Sequence, residues 1–298
     1  MNNTSGIWRM VVAMGLSGTI GLFVVMSGQP TQTVVFFRCL IGGLALLGWL
    51  TWQGAWRRLS GRAIGWLLLG AVALISNWLC LFSAYRLSSI SIATVIYHVQ
   101  PFFLIVLAAL AQKELPAWNK LAWLALAFVG VAMISGITFH ADRSAVLGGA
   151  LLALVAAFLY ALATVATRKL AGVPPAQIAG LQLLLGVPVL APLADFSSAG
   201  AAWQSWSSLL ILGLVHTGLM YNLLYAAFQR LPASMIASLS FIYPVVAILV
   251  DIAFFHTALS AIQMLGIFLV LVAVVGNQRE WNSPGARIST FFQLWSSK

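Results

Sequence analysis

A succession of long apolar tracts with short connections between them sets the strongest constraint on this chain. Ten tracts of 18 or more mostly apolar residues can be drawn. As α-helices rising 1.5 Å per residue, they are long enough to cross a hydrocarbon core of about 30 Å. The tracts are continuous rather than alternating, so they do not resemble the strands of a membrane β-barrel. We place the spans at 7–27, 31–53, 62–85, 89–111, 118–138, 146–167, 174–193, 207–228, 232–255 and 258–277.

The scarcity of charge supports a membrane location. Hydrophobic residues make up 62% of the chain and charged residues only 7%, and the mean hydropathy is +1.01. Soluble domains carry about 25% charged residues, so this chain could not cover a water-facing surface. Lipid must therefore be its solvent, and the sequence predicts an all-α integral membrane protein.

The net charge of +10 is distributed unevenly across the predicted membrane. With the N-terminus in the cytoplasm, the opposite side collects only Arg86 and Arg143. This positive-inside bias predicts a bacterial-type inner membrane protein with both termini cytoplasmic. It accounts for the excess charge, so no nucleic-acid partner is expected. The cytoplasmic side collects Arg9, Arg57, Arg58, Arg62, Lys113, Lys120, Arg168, Lys169, Arg230, Arg279, Arg287 and Lys298.

Two stretches about 143 residues apart are versions of one helix. The first begins at Arg86-Leu87, contains Ile92-Ala93-Thr94 and reaches Pro101. The second begins at Arg230-Leu231, contains Ile236-Ala237-Ser238 and reaches Pro244. Five spans per half is an odd number, so the second half must insert upside down. The prediction is two inverted five-helix repeats, at 7–138 and 146–277, followed by a cytoplasmic tail at 278–298; such repeats place a binding site at their interface.

The paired prolines mark the predicted centre of the site. Pro101 and Pro244 each remove a helix hydrogen bond and leave backbone carbonyls that must face protein or a watery cavity. We interpret them as hinges or as bends that line a cavity. A plain kink in a packed helix is the alternative, since proline is common in membrane helices.

Large polar and aromatic side chains near the middle of the spans are the candidate substrate-binding groups. Aromatic walls with a few hydroxyl, amide and imidazole groups suit a substrate with an apolar side chain and a polar head. The alternative is that such groups only bridge helices. The candidates are Asn77, Trp78, Tyr97, His98, Gln100, Tyr160, Asn222 and Tyr243.

Two charges fall inside predicted spans, where charge is costly and usually functional. Arg38 lies in the second span and Asp251 in the ninth. Arg38 could hold a substrate carboxylate, or it could pair permanently with Asp251. Both side chains could also extend to the membrane interface.

Three classes of function can be compared. A channel would need a ring of charges or a carbonyl filter, and an intramembrane enzyme would need clustered acids, metal ligands or a nucleophile with its base. The sequence shows none of these patterns and no phosphate-binding loop, so we predict no catalytic residues, no metal and no cofactor. Inverted repeats and paired proline breaks favour a secondary transporter. The two repeats form a complete unit, so we expect a monomer.

The chain also resembles a known family. Phe37-Arg38-Cys39-Leu40, the paired prolines, Arg230-Leu231 before span nine and Lys113-Glu114 after span four are similar to features of the EamA-type branch of the drug/metabolite transporter superfamily. Within that branch the chain is most similar to YddG-type exporters of aromatic and other amino acids. It departs from the family by having Phe255-His256-Thr257 where a Glu would follow span nine.

That resemblance implies ten helices, a central cavity and export toward the periplasm. We therefore expect export of small metabolites, chiefly aromatic and other amino acids, by alternating access. Other metabolites, organic cations or an uncoupled pore are the alternatives. The expected partners are the small-molecule substrate and the lipid bilayer.

Overall fold

The computed structural model describes residues 3–87, 93, 96–112, 118–134, 143–196, 203–255 and 260–281. Within these ranges every long regular element is an α-helix, apart from one π-helical stretch. The helices are α1 (Asn3–Ser27), α2 (Thr31–Trp52), α3 (Gly61–Leu87), α4 (Gln100–Gln112), α5 (Trp118–Ile134), α6 (Arg143–Lys169), α7 (Pro175–Leu190), α8 (Trp203–Arg230), α9 (Ala233–Leu239), α10 (Ile242–Phe255) and α11 (Ala261–Trp281).

These helices correspond to the ten predicted spans, with α9 and α10 sharing the ninth. Seven spans in the described part of the chain are long and apolar enough to cross a membrane, and α4, α5 and α11 contribute shorter apolar stretches. The multi-pass, all-helical architecture is confirmed. Most of the first residues of predicted span four lie outside the described ranges. Helix α11 continues to Trp281, a few residues into the predicted tail.

Tight turns join the first helices. Gly28 adopts a φ of 63° directly after α1, a left-handed conformation that glycine reaches without the steric cost of a Cβ. Pro30 follows with extended backbone (ψ 142°) and caps the start of α2. The chain therefore reverses direction within a few residues, and α1 and α2 cross the membrane in opposite directions.

The packing of helices repeats between the two halves. Helix α3 lies along α6. Their counterparts in the other half are α8 and α1, and these two helices also lie along each other. Helix α4 contacts α6, and correspondingly α10 contacts α1. Two pairs of counterparts also contact each other, α2 with α7 and α5 with α11, and α4 of span four packs on α9 of span nine. Exchanging the halves thus reproduces the contacts of α3 with α6, α4 with α6, α2 with α7 and α5 with α11, as an internal two-fold axis requires.

Counterpart helices run antiparallel, which fixes the direction of that axis. At one end of the α2–α7 pair the backbone N–H of Asp195 donates to Thr33 Oγ1 (3.0 Å). At the other end Gln177 Nε2 donates to the carbonyl of Arg57 (2.8 Å). An axis along the membrane normal would leave counterparts parallel, whereas an axis in the membrane plane makes them antiparallel. The second half is therefore inverted relative to the first, as predicted.

One extra residue distinguishes the second half, and the structure shows where it lies. Gly70 and Gly213 are 143 residues apart, but Arg86 and Arg230 are 144 apart. Between Gly213 and Arg230, residues Leu214–Leu219 form a π-helix. A π-helical turn is the usual result of a one-residue insertion in an α-helix. The glycines themselves make corresponding contacts: Gly70 packs on Gln182 of α7, and Gly213 on Ile41 of α2.

Candidate substrate site at the repeat interface

The fourth span is interrupted just before its proline. His98 and Val99 form a turn, in which the N–H of Val99 donates to the carbonyl of Ile96 (3.0 Å). Pro101 is the second residue of α4. In the first turn of a helix its missing N–H costs no hydrogen bond, and its fixed φ favours the new helix.

The ninth span is interrupted in the same way. Ser240 and Phe241 form the turn between α9 and α10, and the N–H of Phe241 donates to the carbonyl of Ser238 (3.2 Å). Pro244 is the third residue of α10. Breaks thus occur in both predicted helices, but they lie two to four residues before the prolines. Their action as hinges stays a prediction.

The two breaks face each other across the repeat interface. The imidazole of His98 is stacked on the ring of Tyr243, with centroids 5.7 Å apart and planes 6° apart. The ring of Phe241 lies 6.2 Å from the same imidazole. His98 is buried (4% exposed). The interrupted helices therefore bring an imidazole and two aromatic rings together at the centre of the molecule.

A hydrogen-bonded group extends this centre toward α3 and α6. Asn77 Nδ2 donates to the carbonyl of Ala156 (2.6 Å) and lies 3.3 Å from the Tyr97 hydroxyl. The ring of Tyr97 packs edge-on against Tyr160, with centroids 6.0 Å apart. Because Asn77 is fully buried, these bonds satisfy an amide that would otherwise be costly in the membrane.

A second group surrounds the charge in α2. Arg38 Nε donates to Thr217 Oγ1 of the π-helix (3.1 Å). The guanidinium carbon lies 5.9 Å from the centroid of the Trp78 ring. Trp78 in turn packs edge-on against Tyr221, with centroids 6.2 Å apart. Trp78 and Tyr221 occupy corresponding positions of their repeats to within one residue, so they pack beside the two-fold axis.

Gln100 supplies an unsatisfied polar group at the first break. Its side chain is buried (7% exposed), and its Oε1 has no hydrogen-bond partner among the residues that the structure describes. A buried acceptor left unpaired carries its full desolvation cost of about 1–3 kcal/mol. This position therefore offers an acceptor to a molecule bound nearby.

The structure joins most of the predicted residues but not all of them. Asn222 is half-buried, and none of the contacts described above involves it. Asp251 lies in α10, but its side chain is outside the described part of the structure, so its pairing with Arg38 stays a prediction. Among the side chains that the structure describes, no partner of Arg38 is acidic.

Three contributors escaped the sequence analysis: Thr217, Tyr221 and Phe241. One of them carried a signal in the duplication. Phe241 lies 143 residues after His98, which is also the spacing of the two prolines. Residues related by an internal two-fold axis meet when they lie beside it, so this pair was accessible from the repeat alone. Thr217 and Tyr221 carried no such signal, because their positions depend on the inserted residue.

A cleft of about 430 Å³ lies at the end of the molecule where the α1–α2 turn is found. By the predicted topology this is the periplasmic end. The lining of the cleft consists of Pro30, Gln32, Leu79, Phe82, Ser83, Leu193 and Asp195.

Inverted helical repeats with a polar and aromatic centre where paired helix breaks meet define a membrane transporter. Comparison with known proteins agrees: the model of the EamA-like transporter family matches residues 4–136 and again residues 147–277. The chain belongs to the EamA-like transporter family. It is not in a family of enzymes.

Two relatives are similar over nearly the whole chain. The uncharacterized transporter YxxF of Bacillus subtilis (strain 168) is 29% identical over 275 residues, covering 91% of this chain and 88% of YxxF. An uncharacterized transporter of Archaeoglobus fulgidus is 27% identical, covering 91% of this chain and 95% of the relative. A solved crystal structure, 18% identical, has a TM-score of 0.82 and covers 95% of this chain and 100% of the other. That last likeness shows the fold alone.

Proposed function

We propose that this protein is a secondary transporter that exports small metabolites from the cytoplasm, most of all aromatic and other amino acids. The proposal includes a bacterial inner-membrane location with both termini cytoplasmic. The observation that carries it is the stacking of His98 on Tyr243, where two symmetry-related helix breaks meet. The resemblance to YddG-type exporters supports the same substrate class.

The aromatic lining supports substrates with apolar or aromatic side chains. Trp78, Tyr97, Tyr160 and Tyr243 surround the centre, and the last three are only half-buried. Rings of this kind offer large contact areas and hydroxyl groups at the same time. A site of this kind discriminates weakly among substrates with different apolar side chains, because one methylene group changes the binding energy by only about 1–3 kcal/mol. We therefore expect broad specificity.

The inverted symmetry supports alternating access. A site beside a two-fold axis in the membrane plane is equally distant from both surfaces, so exchanging the conformations of the two halves opens it to either side. The breaks at His98–Val99 and Ser240–Phe241 interrupt the helical hydrogen bonds where such movement would occur. In this proposal Pro101 and Pro244 keep the breaks open, since proline cannot restore those bonds.

Counterflow in proteoliposomes tests the proposal. Vesicles containing the purified protein are loaded with unlabelled amino acids, organic cations or sugars, and uptake of labelled phenylalanine is followed with and without a pH gradient. We expect phenylalanine, tyrosine and tryptophan inside the vesicles to drive uptake, and sugars to have no effect. A response to the pH gradient would indicate proton coupling, and its absence would indicate facilitated export. Counterflow driven by no amino acid, with folded protein in the vesicles, would contradict the proposal.

A further inference from the structure

We propose that Arg38 is the carboxylate-binding group of the central site, so that the substrates carry a carboxylate next to an aromatic or apolar body. This inference rests on the proposed function and narrows it, because it excludes amines and cations that lack a carboxylate. It follows from how Arg38 is held and from which of its donors are left over.

Thr217 holds one edge of the guanidinium group. Its hydroxyl donates to the carbonyl of Leu212 (2.8 Å), so its single hydrogen is already used. Toward Arg38 it can act only as an acceptor, and it takes the Nε–H bond at 3.1 Å. Among the described residues, the bond from Nε to Thr217 is the hydrogen bond that the Arg38 side chain makes, so its two terminal nitrogens have no partner there. They form the fork of N–H groups that matches the two oxygens of a carboxylate.

The π-helix creates this arrangement. The bond from Thr217 to Leu212 spans five residues, and such a bond is available where the inserted residue widens the helix. Helices α2 and α8 are also very close here: a Cβ on Gly42 would lie 2.6 Å from Thr217 Cγ2. Gly42 is one helical turn after Arg38 on α2. The close approach therefore places Thr217 within reach of the arginine.

The charge lies at the centre of the protein rather than at the lipid interface. Arg38 contacts Trp78, which packs on Tyr221 beside the two-fold axis. The positions 143 and 144 residues later in the second repeat, Leu181 and Gln182, are both uncharged, so the centre has one arginine and not two. A single cation with an aromatic floor suits a molecule that has one anionic group and one ring.

An unpaired charge within a membrane is costly, and such residues usually contact a substrate or an ion. None of the described side chains supplies an acidic partner to Arg38. A substrate carboxylate would supply it in each transport cycle.

Binding of matched ligands tests this inference without relying on transport. The purified protein is heated with 3-phenylpropionate, or with 3-phenylpropionamide, which has the same ring and no charge. We expect the carboxylate to raise the melting temperature at concentrations about tenfold below those required of the amide, as the loss of a charge-assisted hydrogen bond implies. In Arg38→Gln the two ligands should act alike. Arg57→Gln, an exposed arginine on the predicted cytoplasmic side, is the control and should keep the wild-type difference.

Two further variants keep the test decisive if Arg38→Gln folds poorly. Arg38→Lys keeps the charge but loses the fork, and Thr217→Val keeps Arg38 but releases its Nε edge. Both should reduce the preference for the carboxylate without removing it. Equal effects of acid and amide on the wild-type protein would overturn the inference.

Two other results separate this inference from competing explanations. Discrimination between acid and amide with no amino-acid counterflow would contradict the proposed function and leave the carboxylate site standing. If Arg38→Met and Asp251→Leu each lower the yield of folded protein but the double variant restores it, the two charges are permanent partners. That result would overturn the inference as well.

Discussion

The imidazole of His98 and the phenol ring of Tyr243 lie parallel, 5.7 Å apart and within 6°, although 145 positions separate them in the chain. His98 belongs to the break in the first repeat, and Tyr243 is the second residue of the helix after the break in the second. The contact therefore joins the two halves at the points where their helices are interrupted. Movement of one half against the other must change this stack.

Removing either ring should impair transport more than folding. We expect Tyr243→Ala and His98→Ala to lower counterflow of phenylalanine about tenfold, the equivalent of an aromatic contact of about 1.5 kcal/mol. The yield and melting temperature of Tyr243→Ala should stay close to wild type, because Tyr243 is only half-buried. His98 is buried, so His98→Ala should lower the melting temperature somewhat, and its transport is compared at equal amounts of folded protein. Tyr243→Phe keeps the stacked ring and is the control. Normal transport by both alanine variants would mean that the site is elsewhere and that these rings only pack helices.

Much of the architecture could be predicted because it depends on patterns that occur twice. The apolar tracts define the spans, and the paired Pro101 and Pro244 indicate interruptions in corresponding helices. The odd number of spans per repeat requires inversion, which the antiparallel α2–α7 pair confirms. The exact position of each break could not be predicted, since proline tolerates either the break itself or the first turn after it.

The environment of Arg38 could not be predicted from the sequence, for a different reason. A single inserted residue leaves α8 a continuous apolar tract, so the apolar composition of the span does not reveal the π-helix at Leu214–Leu219. Yet the insertion rotates every residue before it relative to those after it. This rotation decides that Tyr221 packs on Trp78 and that Thr217 meets Arg38. The neighbouring Asn222, chosen from the sequence as a lining residue, is not among these contacts.

The close approach of α2 and α8 predicts the effect of a small substitution. A Cβ at Gly42 would lie 2.6 Å from Thr217 Cγ2 and 2.9 Å from the carbonyl of Gly213. We expect Gly42→Ala to destabilise the protein by about 1–3 kcal/mol, as overpacking does, and to lower its melting temperature in detergent. Gly48→Ala on the same helix is the control, because nothing lies within 4 Å of its Cβ. Equal melting temperatures for the two variants would show that α2 and α8 are further apart.

The charge asymmetry predicts the orientation of the chain. Fusions of a reporter that is active only in the cytoplasm, made after Gln278 and within the loop at Asp142, should report opposite sides. The fusion at Gln278 should be active, because the cationic side of the protein faces the cytoplasm. Activity from both fusions would contradict an odd number of spans between them and, with it, the inverted repeat.

A hydrogen bond between buried side chains should couple α7 to α8. The Tyr225 hydroxyl donates to Gln182 Oε1 at 2.6 Å, and the two residues are 2% and 0% exposed. Tyr225→Phe leaves the amide oxygen unpaired, and Gln182→Leu leaves the hydroxyl unpaired, so each should cost about 1–2 kcal/mol of unfolding free energy. The double variant removes both groups and should lose less stability than the sum of the two single variants.

Hydrogen bonds between membrane helices average about 0.6 kcal/mol and reach about 1.7, so we expect a coupling of about 1 kcal/mol in a double-mutant cycle. Pairing Tyr225→Phe with Leu110→Val, a change at an exposed apolar residue of α4, provides the additive reference. Strict additivity of the Tyr225 and Gln182 variants would show that this bond contributes nothing to holding the two helices together.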